Sequence, residues 1–290
     1  MLKSAFFAAV VFIGALATTT HVRATAASTT ATYNSVTQTY SYTYTYNNSD
    51  PNDSDIWDYV GSDNGASAVY LGDGYVLSAG HVGAHNFILD GYTYNLIGSG
   101  QGFGTADLSL FKIDTTSTTG HLLTLPTLSL ETTAPSVGNS VVMIGYGNSQ
   151  GETWATNTIY ETGQNVQLTS PSFDSTDFFT VDNFSPDGPN TTITHNGQLV
   201  PGDSGGGDFI YDASSGKWEL AGINEVQLED GSDHDKIVGS GMVQISQYAG
   251  AINADVPEPP TWIFLGLGLF TVGAMHGLGM RFSPARVDSL

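Results

Sequence analysis

An all-β fold is predicted for the body of this 290-residue chain, and three observations predict it. Asp-Gly pairs begin at Asp73, Asp90, Asp187 and Asp230, and Asn-Gly pairs at Asn64 and Asn196. Such pairs mark hairpins, because the two-residue turn that matches strand twist needs positive φ at both positions. No long amphipathic helical period runs between the termini. Cysteine is absent, so the stretch from 59 to 255 must hold itself together by strand packing, and it is long enough to bury a substantial core.

Residues 1–24 read as a secretory signal peptide: Lys3, an apolar run from Ala5 to Ala17, and Val22-Arg23-Ala24 as a small-residue cleavage site, with cleavage after Ala17 as the alternative. Residues 25–58 are low in complexity. Within them Thr39 to Tyr46 alternate Thr or Ser with Tyr, the pattern of an exposed or edge strand. That segment is a linker or a strand added to the body; the third reading is an aromatic ladder for polysaccharide. The acidic runs Asn48 to Asp55 and Glu229 to Asp235 carry oxygens suited to calcium but no defined ligand spacing. They are read as solvated loops, and no metal or cofactor is expected.

At the other end Val256-Pro257-Glu258-Pro259-Pro260 leads into Thr261 to Met280, a stretch without Asp, Glu, Lys or Arg, followed by Arg281. At 1.5 Å per residue it reaches about 30 Å, the thickness of a bilayer core, which predicts a C-terminal transmembrane helix over 261–280. Gly273 and Gly277 there form a small-residue pair at helical spacing.

Charge excludes one class of partner. The formal net charge is −21, and between 25 and 255 the basic residues are only Lys112, Lys217 and Lys236. Nucleic acid is not expected, because neutralising phosphates takes clustered Lys and Arg.

Chemistry concentrates in three blocks. The run Val200-Pro201-Gly202-Asp203-Ser204-Gly205-Gly206-Gly207 sets a serine among glycines, whose freedom of φ lets the Gly202 and Ser204 amides converge on one developing oxyanion. Upstream, Tyr75-Val76-Leu77-Ser78-Ala79-Gly80-His81-Val82 is an apolar strand ending in a histidine flanked by small residues, a setting for a general base. Between them Thr105-Ala106-Asp107-Leu108-Ser109-Leu110-Phe111 places an aspartate before an alternating strand. A serine hydroxyl needs a base to take its proton, and an imidazole needs a carboxylate to hold its tautomer.

In the order His81, Asp107, Ser204, the blocks Ser-Ala-Gly-His, Asp-Leu-x-Leu and Gly-Asp-Ser-Gly-Gly resemble those of the chymotrypsin/trypsin-like serine protease superfamily. The resemblance implies two antiparallel six-stranded β-barrels, about 59–130 and 131–255, with the active site between them. Ser136 to Gly147 resembles the first strand of the second barrel, and Trp218 to Asn224 the strand after the nucleophile. Val82, where animal members carry a cysteine, points to the bacterial type. The implied roles are Ser204 as nucleophile, His81 as acid-base, Asp107 as its orienter, and the Gly202 and Ser204 amides as oxyanion hole. His85 and His195 are read as structural.

For the substrate pocket the resemblance implies Gln198, six positions before the serine, with Leu199 beside it and Gly241 on the closing strand. Glu225 has two readings: in that pocket, or beside Asp107 where members have a serine, with Asn224 as the harmless alternative at that place. The tail 256–290 resembles a PEP-CTERM sorting segment, which implies processing by an exosortase. The expectation is an exported serine endopeptidase acting on proteins or peptides, in the cell envelope or outside it and membrane-anchored at least transiently. The competing expectation is a catalytically silent surface-displayed binding module for protein or exopolysaccharide.

Overall fold

The computed structural model describes residues 27–34, 39–51, 55–147, 150–181, 192–230 and 233–256. The expected signal peptide, the tail from 257 with its span over 261–280, the Asp187-Gly188 pair and the His195 side chain lie outside the described residues. Among the described residues no helix is long and apolar enough to cross a membrane.

The chain is mostly β. The Thr- and Tyr-rich segment forms a hairpin of β1 (Ala27–Asn34) and β2 (Thr39–Tyr46), and β1 also pairs with β13 (Thr192–Gln198). Because alternate side chains share a face, the Tyr40, Tyr42, Tyr44 and Tyr46 rings stack in a row, each pair 6.4 Å apart. The Tyr42 hydroxyl accepts the Ile237 amide N–H at 2.8 Å. The hairpin is thus a strand pair added to the body; beyond it, Asn48 Nδ2 donates to the carbonyls of Gln150 and Glu152.

The first lobe is one antiparallel sheet built from β3 (Val60–Asp63), β4 (Ala66–Gly72), β5 (Tyr75–Ser78), β6 (Phe87–Leu89), β7 (Tyr92–Tyr94), β8 (Leu96–Gly102) and β9 (Ser109–Ile113). Its order is β7-β6-β3-β4-β5-β9-β8. Asn64-Gly65, Asp73-Gly74 and Asp90-Gly91 turn its hairpins, with φ of 49° and 83°, 50° and 80°, and 51° and 76°. Both residues of each turn are left-handed, as the sequence predicts. The expectation of a closed six-stranded first barrel is corrected: seven strands form an open ladder, and β7 and β8 do not pair. Closure needs an apolar face on the last strand. Strand β8, Leu-Ile-Gly-Ser-Gly-Gln-Gly, has none and is almost wholly exposed.

The second lobe does close. Strands β10 (Ser140–Gly145), β11 (Thr153–Thr169), β12 (Ser172–Val181), β14 (Gly207–Asp212), β15 (Lys217–Asp230) and β16 (Asp233–Gln244) form a barrel in the order β10-β11-β12-β16-β15-β14. Strand β10 is apolar on both faces. Val141 and Met143 join one buried cluster with Phe178 and Met242, while Val142 and Ile144 join the cluster that runs through the first lobe with Val69, Leu77 and Phe111. Each fully buried side chain of this size contributes about 1.5–3 kcal/mol. A 3₁₀ turn (Ile245–Gln247) and α1 (Ala249–Asp255) follow, with Ala249 and Ile252 buried in the larger cluster.

One hairpin expectation fails. Asn196-Gly197 lies inside β13, because Gly197 crosses β11 so closely that a Cβ would collide with the Ala155 methyl. The pair serves a close approach rather than a turn.

Candidate active site

Strand β5 delivers His81. Its Val76, Leu77 and Ser78 are buried, and the chain then turns through Ala79, whose carbonyl accepts the amides of Val82 and Gly83. The fully buried Asp107 carboxylate meets that turn with both oxygens. Oδ1 accepts the His81 backbone N–H at 2.6 Å, and Oδ2 lies 2.5 Å from His81 Nδ1. One carboxylate thus fixes both the ring and the loop that carries it. Gly80 is required between them: a Cβ there would sit 3.0 Å from Asp107 Oδ1 and 2.8 Å from the Phe173 ring.

The imidazole is 24% exposed. Burial pulls its pKa down, but the hydrogen bond and charge of Asp107 outweigh that and leave it raised above the ordinary histidine value. Since Nδ1 faces a carboxylate, it carries the proton in the neutral ring, and Nε2 is the basic nitrogen.

Ser204 lies in a glycine turn between β13 and β14. Gly202 and Gly205 have φ of 94° and 85°. The turn is tied to the strand next to the one that leads to His81: Ser67 of β4 donates its N–H to the Ser204 carbonyl at 2.9 Å and its hydroxyl to the Gly202 carbonyl at 2.9 Å. Ser78 of β5 donates to the Ser67 carbonyl at 2.8 Å. At Gly205 a Cβ would collide with that carbonyl and with the Ser78 hydroxyl. No hydrogen bond joins the Ser204 hydroxyl to His81 among the described residues; in unliganded sites such contacts are often long and tighten with substrate.

The amides of the turn divide into two groups. Those of Val200, Asp203, Gly205 and Gly206 donate to Asp203 Oδ2 and to the carbonyls of Val200, Asn224 and Asp203. Those of Gly202 and Ser204 have no acceptor among the described residues. Two unpaired donors two positions apart, one of them the amide of the serine itself, suit an oxyanion.

The four residues read as a pocket are all buried. Gln198 is 0% exposed, paired with Ala27 of β1, and Leu199 belongs to the smaller core cluster. Gly241 packs against Val226, Asp177 and Phe179. Glu225 lies on the Asp107 side: its Oε1 accepts the Ser175 hydroxyl at 3.0 Å, and Ser175 Oγ accepts the Asp107 N–H at 2.9 Å. Asn224 instead turns its amide to the Ile144 carbonyl. Burial, then the charges of Asp177 and Asp107, push the Glu225 carboxyl far up, so it keeps its proton at neutral pH.

Sequence reasoning missed Phe173 and Ser175, which the β11–β12 hairpin brings against Gly80 and Asp107. Asp174 reinforces that contact, its N–H donating to the Thr105 carbonyl at 2.8 Å. The one available signal was Asp177, an acid beside Phe178-Phe179 in a strand. His85 places Nδ1 on the Ala84 carbonyl and Nε2 on Asn64 Nδ2. Among the described residues no group of three or more His, Asp or Glu side chains is placed to hold a metal ion.

No protein-family model matches the chain, and no curated protein matches it. Solved structures similar to it include three of the Rv3671c protease of M. tuberculosis. The active form is 12% identical with a TM-score of 0.45, covering 79% of this chain and 78% of that one. An inactive form is 14% identical, TM-score 0.43, covering 64% and 80%. A serine-to-alanine mutant in the inactive form is 13% identical, TM-score 0.47, covering 70% and 90%. At these identities and scores the likenesses establish neither a family nor an activity for this chain.

Proposed function

We propose that this chain is a serine endopeptidase that hydrolyses peptide bonds through an acyl-enzyme. The observation that carries the reading is the doubly held His81: a buried carboxylate on Nδ1 and on the backbone N–H leaves Nε2 as a base of set orientation. Ser204 is the nucleophile. Its proton passes to His81 Nε2 as Oγ bonds the carbonyl carbon, and the Gly202 and Ser204 amides take the oxyanion. The imidazolium, stabilised by Asp107, returns the proton to the leaving amine. Water then repeats the sequence to free Ser204.

The test is labelling with a fluorophosphonate probe, which needs no knowledge of the substrate. Wild type should gain the adduct on Ser204 by mass spectrometry, Ser204→Ala should gain none, and His81→Ala should react at least a hundredfold more slowly. Absence of labelling in wild type overturns the reading and leaves the silent binding module.

Cleavage after uncharged residues belongs to the same proposal. Glu225, the acid nearest to rescuing a basic preference, turns toward Asp107 and is protonated, so it offers no counter-charge to Lys or Arg. Profiling a peptide library checks this; predominant cleavage after Lys or Arg would sink it. Export by residues 1–24 and anchoring or exosortase processing through 256–290 complete the reading. Full-length protein should sediment with membranes and a truncation after Asp255 should not; a soluble protein with an intact tail counts against anchoring.

A further inference from the structure

Behind the His81–Asp107 pair lie two carboxyl groups that the proposed chemistry does not use. Glu225 is the residue that the bulge in β15 leaves without a partner: Asn224 pairs with Met242 and Val226 with Gly241. A bulge re-aims one side chain of a strand. Here it directs Glu225 to Ser175, whose hydroxyl it accepts while Ser175 Oγ accepts the Asp107 N–H.

Asp177, two residues along β12, is 0% exposed, and both its oxygens and Glu225 Oε2 are buried with no donor from any other group. The remaining charged and titratable neighbours are Asp107, His81, Asp208 and Tyr248. Lys112 and Lys217 are exposed elsewhere on the surface. With no Lys or Arg among the described residues facing them, two carboxylates share such a space with a proton between them.

From this arrangement, and resting on the hydrolase reading above, we propose that Glu225 is a positioning residue: locked against Asp177 by a shared proton, it anchors the Asp107 backbone through Ser175 and so keeps the Asp107 carboxylate on His81. The geometry has a cost that only protonation removes. An ionised Glu225 would add a third buried negative charge beside Asp177 and Asp107, and their repulsion would push the Glu225 side chain, and the Ser175 contact it makes, away from Asp177.

Glu225→Gln separates shape from charge, because the amide accepts from Ser175 with its oxygen and donates to Asp177 with its nitrogen, as the acid form does. In the full chain, Ser175→Ala and Glu225→Ala should slow fluorophosphonate labelling by about tenfold, and Glu225→Gln should label at least fivefold faster than Glu225→Ala. Stability gives a second readout that does not depend on activity. Glu225 holds a proton in the folded state that the unfolded chain loses above its ordinary pKa, so wild type loses stability as pH rises. Glu225→Gln has no such proton, and its stability relative to wild type should therefore grow from pH 5 to pH 9.

Equal labelling of the Gln and Ala variants, or a stability difference that does not change with pH, overturns the proposal. Should Glu225→Ala fail to fold, Ser175→Ala labelling at the wild-type rate overturns it as well. A wild-type chain that never labels overturns the hydrolase reading, and the positioning role with it; that failure is recognisable because it appears before any variant is compared.

Discussion

Asp107 shows how much one side chain can be asked to do. Its two oxygens hold the ring and the backbone of the same histidine, and its own N–H is held by Ser175. Asp107→Asn keeps the size but replaces one acceptor by a donor, which favours the wrong imidazole tautomer. Under the proposed mechanism the probe-labelling rate and peptidase kcat should fall by about 10⁴-fold. A loss of less than tenfold would show that His81 is not oriented by this contact. Whether the candidate site could be read in advance differs residue by residue. His81, Asp107 and Ser204 each sit in a recognisable local pattern. Ser175 does not: its role comes from a hairpin tip that meets the 105–107 loop from far along the chain.

At the scale of elements, the turns of the first lobe were legible because their geometry is local. Asp73 has φ of 50° and lies between β4 and β5, the strand that carries His81. Asp73→Val should cost about 1–2 kcal/mol in urea denaturation, whereas Asp73→Gly should be nearly neutral, since left-handed φ penalises branched residues and not glycine. Equal effects of both substitutions would deny the turn its type. Asn196-Gly197 shows the limit of the same signal. Its glycine answers to Ala155 on another strand, a demand that no neighbouring residue announces. The failure of the first lobe to close has the same origin, since the ladder stops where β8 lacks an inward apolar face.

For the whole molecule the notable property is an excess of buried acids. Burial raises the Asp63 carboxyl to about 7 and Glu152 to about 9, and it pushes Asp208 well up along with Asp177 and Glu225. Asp63, Glu152, Asp208 and the Asp177–Glu225 pair each hold a proton in the folded state that the unfolded chain releases near pH 4, so each contributes stability at low pH that is lost as pH rises toward its folded value. The raised His81 pKa acts in the same direction. Asp212 acts oppositely, but it is lowered to about 2 by bonds from Ser214 and Ser215, so its effect is confined to pH below about 4. The Tm should therefore fall steadily from pH 5 to pH 9, with salt softening the fall only where surface repulsion from the net charge of −21 adds to it. A flat or rising Tm over that range would mean that these carboxyls are ionised and paired.

By itself the sequence determined the all-β class, the turns in which one residue pair dictates its own φ, and the positions of the three chemical blocks. These are short-range properties, set by residues in contact along the chain. Only the tertiary structure decided that the first lobe stays open, that the tyrosine strand packs beside the barrel, and that Glu225 meets Ser175 on the Asp107 side. Each of those depends on which distant strand supplies the neighbour and on whether a buried charge finds a proton or a partner there. A linear pattern holds neither fact, because burial and pairing arise only when segments far apart in the chain close the same space.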